Sequence, residues 1–473
     1  MSFSERAAKA IKKPNLIRAT KSAVQSFYWN RLAAYAELGE PEVADLKQRA
    51  RAAREQAIGN LDAYLEQFAT MLRSRGAQIY FTKTGAEAAQ KVVDITRATG
   101  GRRIVKSKSM ATEELHLNDA LEAAGLHVRE TDLGEYIIQL AGDPPAHIVG
   151  PAIGKDRYEI AALFAKEEGQ PVDHDPQVLL QFARRKLRQE FLTADVGITG
   201  CNFAVAETGT IFLVTNEGNA NLVTSQPRIQ IVVVGMEKLV PTFADVEPLL
   251  ALLPRACTGQ AISSYVGMIS GPRLPEEQDG PEELHVVVVD NGRSAIRQTE
   301  FEEALLCIRC GSCLNVCPVY RQVGGAAYGD TYSGPIGTVL TPLLRGLDQW
   351  SELPHVACSL CGACHDACPM SIHLDDLLLK LRQKTDREHL VSTGERWVFK
   401  LWTWAWATPG RYRLAARIAR WLQLPFSRDG WIGWAPPPVK GWTDYRDLPV
   451  VQAETFRDRW AKRRLERGGR NAG

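Results

Sequence analysis

The stretches CIRCGSCLNVCP (307–318) and CSLCGACHDACP (358–369) repeat one spacing, C-x2-C-x2-C-x3-C-P, and hold eight of the ten cysteines in the chain. That spacing suits a [4Fe–4S] cluster: three closely spaced thiolates wrap one cube, and the fourth cysteine of each run serves the other cluster. The proline then stops the chain from continuing as helix. Crossed ligation assigns Cys307, Cys310, Cys313 and Cys368 to one cluster and Cys358, Cys361, Cys364 and Cys317 to a second. Zinc sites more often pair two separate CxxC knuckles, and disulfides are not expected of a chain that opens MSFSERAAKAIKKPNL, with no apolar leader. The remaining cysteines, Cys201 and Cys257, read as small buried hydrophobes outside the metal site.

Outward from the runs, FEEALL precedes the first as a helix and LDDLLLKLRQK follows the second. The connection between them carries YGDTYSGPIG and is longer than a minimal two-cluster ferredoxin needs. This places a helical cluster domain at about residues 299–388. Upstream, short apolar strands alternate with amphipathic helices. Strands AQIYF, RRIVKS, LHVRE and AHIVG are followed by DVGIT, FAVAE, TIFLVT, IQIVVVG and HVVVVD. The helices GAEAAQKVVDITRAT, TEELHLNDALEAAG and DPQVLLQFARRKLRQEFL lie between them. Such alternation predicts an α/β domain with a largely parallel sheet over 76–298. Residues 1–75 carry helical periodicity, as in Ala53, Ala57, Leu61, Leu65 and Leu72, and stop at Gly76.

Beyond residue 389 the composition changes again, and nine of the eleven tryptophans lie there. From 391 onward 16 Lys and Arg face 7 Asp and Glu, a local excess of +9 in a chain whose total is +2. Aromatic and basic residues mixed along helices cover the protein's own clusters, dock a partner, or lie peripherally on an anionic membrane. Trp402, Trp404 and Trp406 cannot share one helical face, which disfavours a purely interfacial helix. No stretch reaches 18 consecutive apolar residues. Thiolates available to iron imply a reducing compartment, with cytoplasm the default. The near balance of 57 basic and 55 acidic residues gives no general affinity for nucleic acid.

Three polar groupings in the α/β domain are candidates for a small-molecule site. KSKSMATEE puts Lys106 and Ser109 at a strand end and Glu113 in the first turn of a helix, where free N–H groups suit an anion; an ordinary helix cap explains it equally well. ETDLGEYIIQ carries Asp132 and Glu135 just after a strand, where a turn with solvated acids is the plainer reading. AETGTIFLVTNEGNA carries Glu207, Thr208, Gly209 and Thr210 in a hairpin turn, then Asn216, Glu217 and Asn219 in a second turn. Amides beside a carboxylate suit a small 2-hydroxy acid. Lys106, Ser109, Glu207, Thr208, Asn216 and Asn219 are expected to converge on one pocket at the strand ends.

Taken together, KSKSMATEE, TDLGEYIIQLAGDPPAHIVGPAIGK, GITGCNFAVAETGTIFLVTNEGNA, DNGR, both cysteine runs, GGAAYGDTYSGPIG and the Trp-rich tail resemble the iron–sulfur subunit family of bacterial lactate utilisation, lactate-utilisation protein B. The resemblance runs from about residue 50 to the end. It implies a CoA-transferase and sugar-isomerase-like α/β domain, a two-cluster ferredoxin-like segment and a C-terminal extension. It also implies two partners, a cysteine-rich CCG-domain subunit and a smaller subunit sharing the α/β domain, which together oxidise L-lactate to pyruvate. Gly154 and Gln230 stand where the family commonly has histidine.

No G-x-G-x-x-G opens a helix after a strand, so the chain is expected to lack its own Rossmann-bound nicotinamide or flavin. The leading reading is an electron-transfer subunit that is inactive alone. The alternatives are an iron–sulfur subunit of a glycolate or other 2-hydroxy-acid dehydrogenase, a metabolite- or redox-sensing module, and a free-standing transferase with structural clusters.

Overall fold

The computed structural model describes residues 1–390, 393–437, 439–444 and 446–468, which form two compact units, Met1–Glu388 and His389–Gly473. The first is built on a six-stranded, wholly parallel sheet. Its strands are β1 (Gln78–Thr82), β2 (Arg103–Lys106), β3 (His127–Glu130), β4 (Val196–Thr199), β7 (Ile229–Gly235) and β10 (Glu283–Val289), in the spatial order β1-β10-β7-β4-β2-β3. The inner strands β7, IQIVVVG, and β10, ELHVVVV, are apolar along almost their whole length because helices cover both faces. The outermost strand β3, HVRE, alternates buried and half-buried residues. A smaller sheet carries β5 (Phe203–Val205), β6 (Thr210–Thr215), β8 (Leu239–Val240) and β9 (Tyr265–Ile269) in the order β8-β5-β6-β9.

Several sequence expectations need correction. AHIVG forms bends rather than a strand. The segment TEELHLNDALEAAG is two helices, Met110–Glu114 and Leu117–Ala123, because His116 turns left-handed at φ 50°. ETDLGEYIIQ continues as the helix Leu133–Ala141, with Asp132 as its extended N-cap rather than part of a free turn. FEEALL forms a short 3-10 turn, Glu302–Leu306.

Four helices precede the sheet: Phe3–Ile11, Pro14–Leu38, Glu40–Gly59 and Leu61–Ser74. The first three share one core with the cysteine segment, where Phe3, Val24, Leu46 and Ala50 pack with Leu305, Leu314, Tyr328 and Leu378. Arginines on these helices bond the cysteine segment through both side-chain and backbone oxygens. Arg31 donates to Ser312 Oγ (2.6 Å), Arg51 to the Ser371 carbonyl (2.6 Å) and Arg54 to the Leu305 carbonyl (2.9 Å).

The second unit holds the helices Thr393–Trp406, Pro409–Gln423 and Phe456–Gly468 and a two-stranded ribbon joining Trp431–Ile432 to Leu448–Pro449. Trp402 and Trp406 meet on one helical face, their tilted rings 5.5 Å apart, while Arg411 caps the ring of Trp404, so the three tryptophans do not share one face. Among the described residues no helix is long and apolar enough to cross a membrane.

Candidate functional site

The two cysteine runs fold alike. In each, the residue two after the first cysteine is left-handed (Arg309 φ 61°, Leu360 φ 52°), and its amide N–H donates to that cysteine's sulfur, at 3.4 Å for Cys307 and 3.2 Å for Cys358. A left-handed glycine follows, Gly311 or Gly362, and opens one helical turn, Ser312–Val316 or Ala363–Ala367. The fourth cysteine leaves that turn extended, with ψ 119° at Cys317 and 121° at Cys368. Amide N–H groups aimed at sulfur stabilise thiolate ligands.

The thiols fall into two neighbourhoods. Burial raises the pKa of Cys310, and the nearby charges of Cys307 and Cys368 raise it further. Burial likewise raises Cys317 and Cys364, and the added charges come from Cys358 and Cys361, with Cys317 itself acting on Cys364. A small cavity of about 20 Å³ is lined by Cys317, Cys358, Cys361 and Cys364 together. Eight thiols spread in this way, with donated N–H groups, fit iron–sulfur clusters.

A larger cavity of about 270 Å³ opens at the carboxyl ends of the sheet, where parallel α/β sheets bind ligands. Its floor is the segments leaving β2 (Ser107–Ser109), β3 (Asp132), β4 (Gly200–Asn202) and β7 (Gly235, Glu237, Lys238), and its far wall includes Ile308 and Arg309 from the first cysteine run. The cavity therefore touches the sheet and the first cluster loop at once.

Of the candidates, Ser109, Asp132, Asn216 and Glu217 line this cavity. Burial raises Asp132 to about 6 despite the Lys108 N–H donated to it at 2.6 Å, and Glu217 is raised by burial also. Glu135 meets the cavity only through Lys108, whose Nζ lies 2.7 Å from its carboxylate. Asn219 is buried and donates to Thr131 Oγ1. The expected convergence of all the candidates is not what the structure builds. Lys106 is buried in an ion pair with Glu113 (2.8 Å) and Glu130 (2.7 Å), which outweigh burial and keep it charged. Glu113 and Glu135 face a separate, acid-rich cavity that also holds Asp330 and Arg345. Thr208 and Thr210 bond each other in the hairpin, Gly209 abuts Met71 and Leu72, and Glu207 accepts the Phe243 N–H, all away from the 270 Å³ cavity. Cys201 and Cys257 do line that cavity, and burial pushes both thiols up to about 12.

Sequence reading missed the charged wall. Glu237 lies between Arg293 and Arg309; burial raises its carboxyl, but the two guanidiniums prevail and bring it down to about 2. Arg293 forks onto Glu114 with two 2.8 Å contacts, Tyr332 donates to Glu114 at 2.7 Å, and the Arg309 guanidinium stacks 4.8 Å from the Tyr332 ring. This buried chain ties the DNGR turn, the strand-end turn Met236–Lys238 and the first cysteine run together. Lys238 is lowered to about 8, first by burial and then by the Arg309 charge. His147 is held neutral: Val149 N–H donates to its Nδ1 and its Nε2 bonds Asn315 Oδ1, while burial lowers it to about 3. Gln230 is buried in the sheet against Thr199, and with its amide turned also donates to Val223 O; neither it nor Gly154 lines the cavity.

A ferredoxin-type pair of cysteine runs joined to a parallel α/β sheet, with a cavity at their junction, defines an iron–sulfur protein with a candidate small-molecule site. Three family models match: the LUD domain over residues 65–289, the 4Fe-4S dicluster domain over 303–372, and Lactate utilisation protein B, C-terminal, over 382–465. Relatives named Lactate utilization protein B include those of Oceanobacillus iheyensis, 47% identical over 98% of this chain and 96% of the relative, and Bacillus licheniformis, 46% identical over 98% of each. That of Bacillus velezensis is 45% identical over 99% of this chain and 98% of its own. The chain belongs to the lactate-utilisation protein B family. A solved duf162 family protein from Deinococcus radiodurans aligns with 48% of this chain and 98% of its own at 19% identity, with a TM-score of 0.28, too distant to bear on the argument.

Proposed function

We propose that this lactate-utilisation iron–sulfur protein is the electron-transfer subunit of a complex that oxidises L-lactate to pyruvate. It would act with a cysteine-rich CCG-domain subunit and a second subunit sharing the α/β domain, which is read as CoA-transferase and sugar-isomerase-like. Two [4Fe–4S] clusters are assigned, an inner one to Cys307, Cys310, Cys313 and Cys368 and an outer one to Cys358, Cys361, Cys364 and Cys317. When bound, they supply one-electron steps, and lactate oxidation releases two electrons.

The observation that carries this reading is that the two cysteine runs have different surroundings. Arg309 of the first cysteine run lines the ligand cavity, while Cys361 of the second run is exposed. Ser109, Asp132, Asn216 and Glu217 bind and orient a small ligand, the N-terminal helices exclude water from the inner thiols, and the outer run presents a surface to a redox partner. The test is reconstitution. The purified chain with its clusters should not reduce an artificial acceptor with L-lactate, and adding the two partner subunits should restore turnover. Equal turnover on glycolate would favour another 2-hydroxy-acid dehydrogenase, and full activity of the chain alone would overturn the subunit reading.

A further inference from the structure

Lys238 is the feature of the cavity that the reading above leaves without a task. It follows β7 in a 3-10 turn and lines the cavity, and among the described residues its ammonium makes no hydrogen bond or ion pair. Its neighbour Glu237 offsets that charge only in part, being engaged by Arg293 and Arg309. Arg54 adds a further buried cation whose partners are the carbonyls of Leu239 and Leu305. Three cations, Lys238, Arg293 and Arg309, line this part of the cavity with one carboxylate, Glu237, while Arg54 and Glu114 are buried outside its lining. Arg309 is only 7% exposed, and its Nε has no hydrogen-bond partner among the described residues. A buried cationic surplus is costly unless an anion meets it; the Cys307 thiolate, whose charge acts on both Lys238 and Arg309, supplies one such charge and leaves the remainder facing the cavity.

The other end of the cavity has the opposite character. Asp132 and Glu217 face it there with Lys108, whose ammonium is paired with Glu135 at 2.7 Å, beside Asn216 and Gln260, whose side chains are bonded at 2.6 Å. Ile148, Val149, Leu213 and Leu253 add apolar wall to the same cavity. About 270 Å³ lies just below the roughly 300–1,000 Å³ of ordinary ligand pockets, enough for a small organic acid and not for a dinucleotide.

We propose that this cavity binds a small monocarboxylate, its carboxylate held by Lys238 and Arg309 and its neutral hydroxyl or keto end turned toward Asp132, Asn216 and Glu217. The two acids at the far end make the site selective, since a second anionic group on the ligand would meet like charge there. The site deepens the proposed function and rests on it for the choice of L-lactate as first probe.

The test is calorimetric titration of the full chain carrying its clusters, with L-lactate, propionate and succinate as separate probes. L-lactate should bind, and succinate should bind at least about 10-fold more weakly. Lys238→Gln should weaken L-lactate by about 10- to 100-fold, the worth of a charge-assisted hydrogen bond, with iron content and visible cluster spectrum unchanged. Lys238→Arg should recover most of the affinity. If propionate binds through Lys238 while L-lactate does not, the site stands and the lactate reading falls. If the probes bind wild type and Lys238→Gln equally, the site is refuted. If none binds and Lys238→Gln only shifts a cluster potential, Lys238 is a counter-charge to the cluster and the proposal is overturned.

Discussion

The two cysteine runs have nearly the same backbone and quite different surroundings. Each has a left-handed third residue, an amide aimed at its first sulfur, a left-handed glycine and one helical turn ending in an extended cysteine. Yet the third residue is buried Arg309 in one run, bound into a chain of charges with Glu237, and exposed Leu360 in the other. Around the first run lie the N-terminal helices, the ligand cavity and cationic side chains; around the second lie solvent, Arg382 donating to the Cys358 carbonyl, and Asp375. The spacing builds the cradle, while the surroundings set potential and access, because net charge and exposure are what tune a cluster held by a given set of ligands.

The largest effect expected tests whether the runs exchange their fourth ligands. Cys368→Ser should damage the cluster held by Cys307, Cys310 and Cys313 and reduce bound iron toward half, as read by iron analysis and electron paramagnetic resonance. A change confined to the cluster of its own run would show that each run completes its own cube.

Next in size is Arg293→Met, which leaves Glu114 and Glu237 buried without their shared cation. Breaking such a buried pair costs about 3–5 kcal/mol, measurable by urea unfolding. The inner cluster's spectrum should change with it, since Glu237 also holds Arg309, and the outer cluster's should not. An equal response of both clusters would dissolve the distinction between them.

The smallest effect compares the paired glycines. An alanine at either position enters the left-handed region, at about 1–2 kcal/mol. At Gly362 the added carbon would meet only the Asp375 carboxylate at 3.7 Å, whereas at Gly311 it would press to 3.1 Å on the buried His147 ring. Gly311→Ala should therefore lose about 1–3 kcal/mol more than Gly362→Ala, and equal losses in thermal unfolding would place the His147 contact in doubt.

Not every element was equally legible. Strands β7 and β10 could be read directly, because a strand covered on both faces needs an unbroken apolar run. Strand β9, YVGMI, lies on the edge of the small sheet, is half exposed and carries no such pattern. The kink at His116 depends on a single left-handed residue inside an otherwise helical pattern. In the cavity, Ser109, Asp132, Asn216 and Glu217 could be suspected because polar clusters at strand exits are where α/β sheets bind. The same logic failed for Glu207, Thr208, Gly209 and Thr210, whose hairpin packs against the helix Leu61–Ser74.

By itself the sequence determined the iron–sulfur chemistry, the parallel sheet and the family, since ligand spacing, apolar runs and motif order are local properties of the chain. Which charges meet was decided only by the tertiary structure. Lys238 and Glu237 occupy an unpatterned three-residue turn, and Glu237 finds Arg309 and Arg293 at 72 and 56 positions along the chain. Strength at such a wall comes from burial and from distances of a few ångströms between distant segments, which no spacing along the chain encodes.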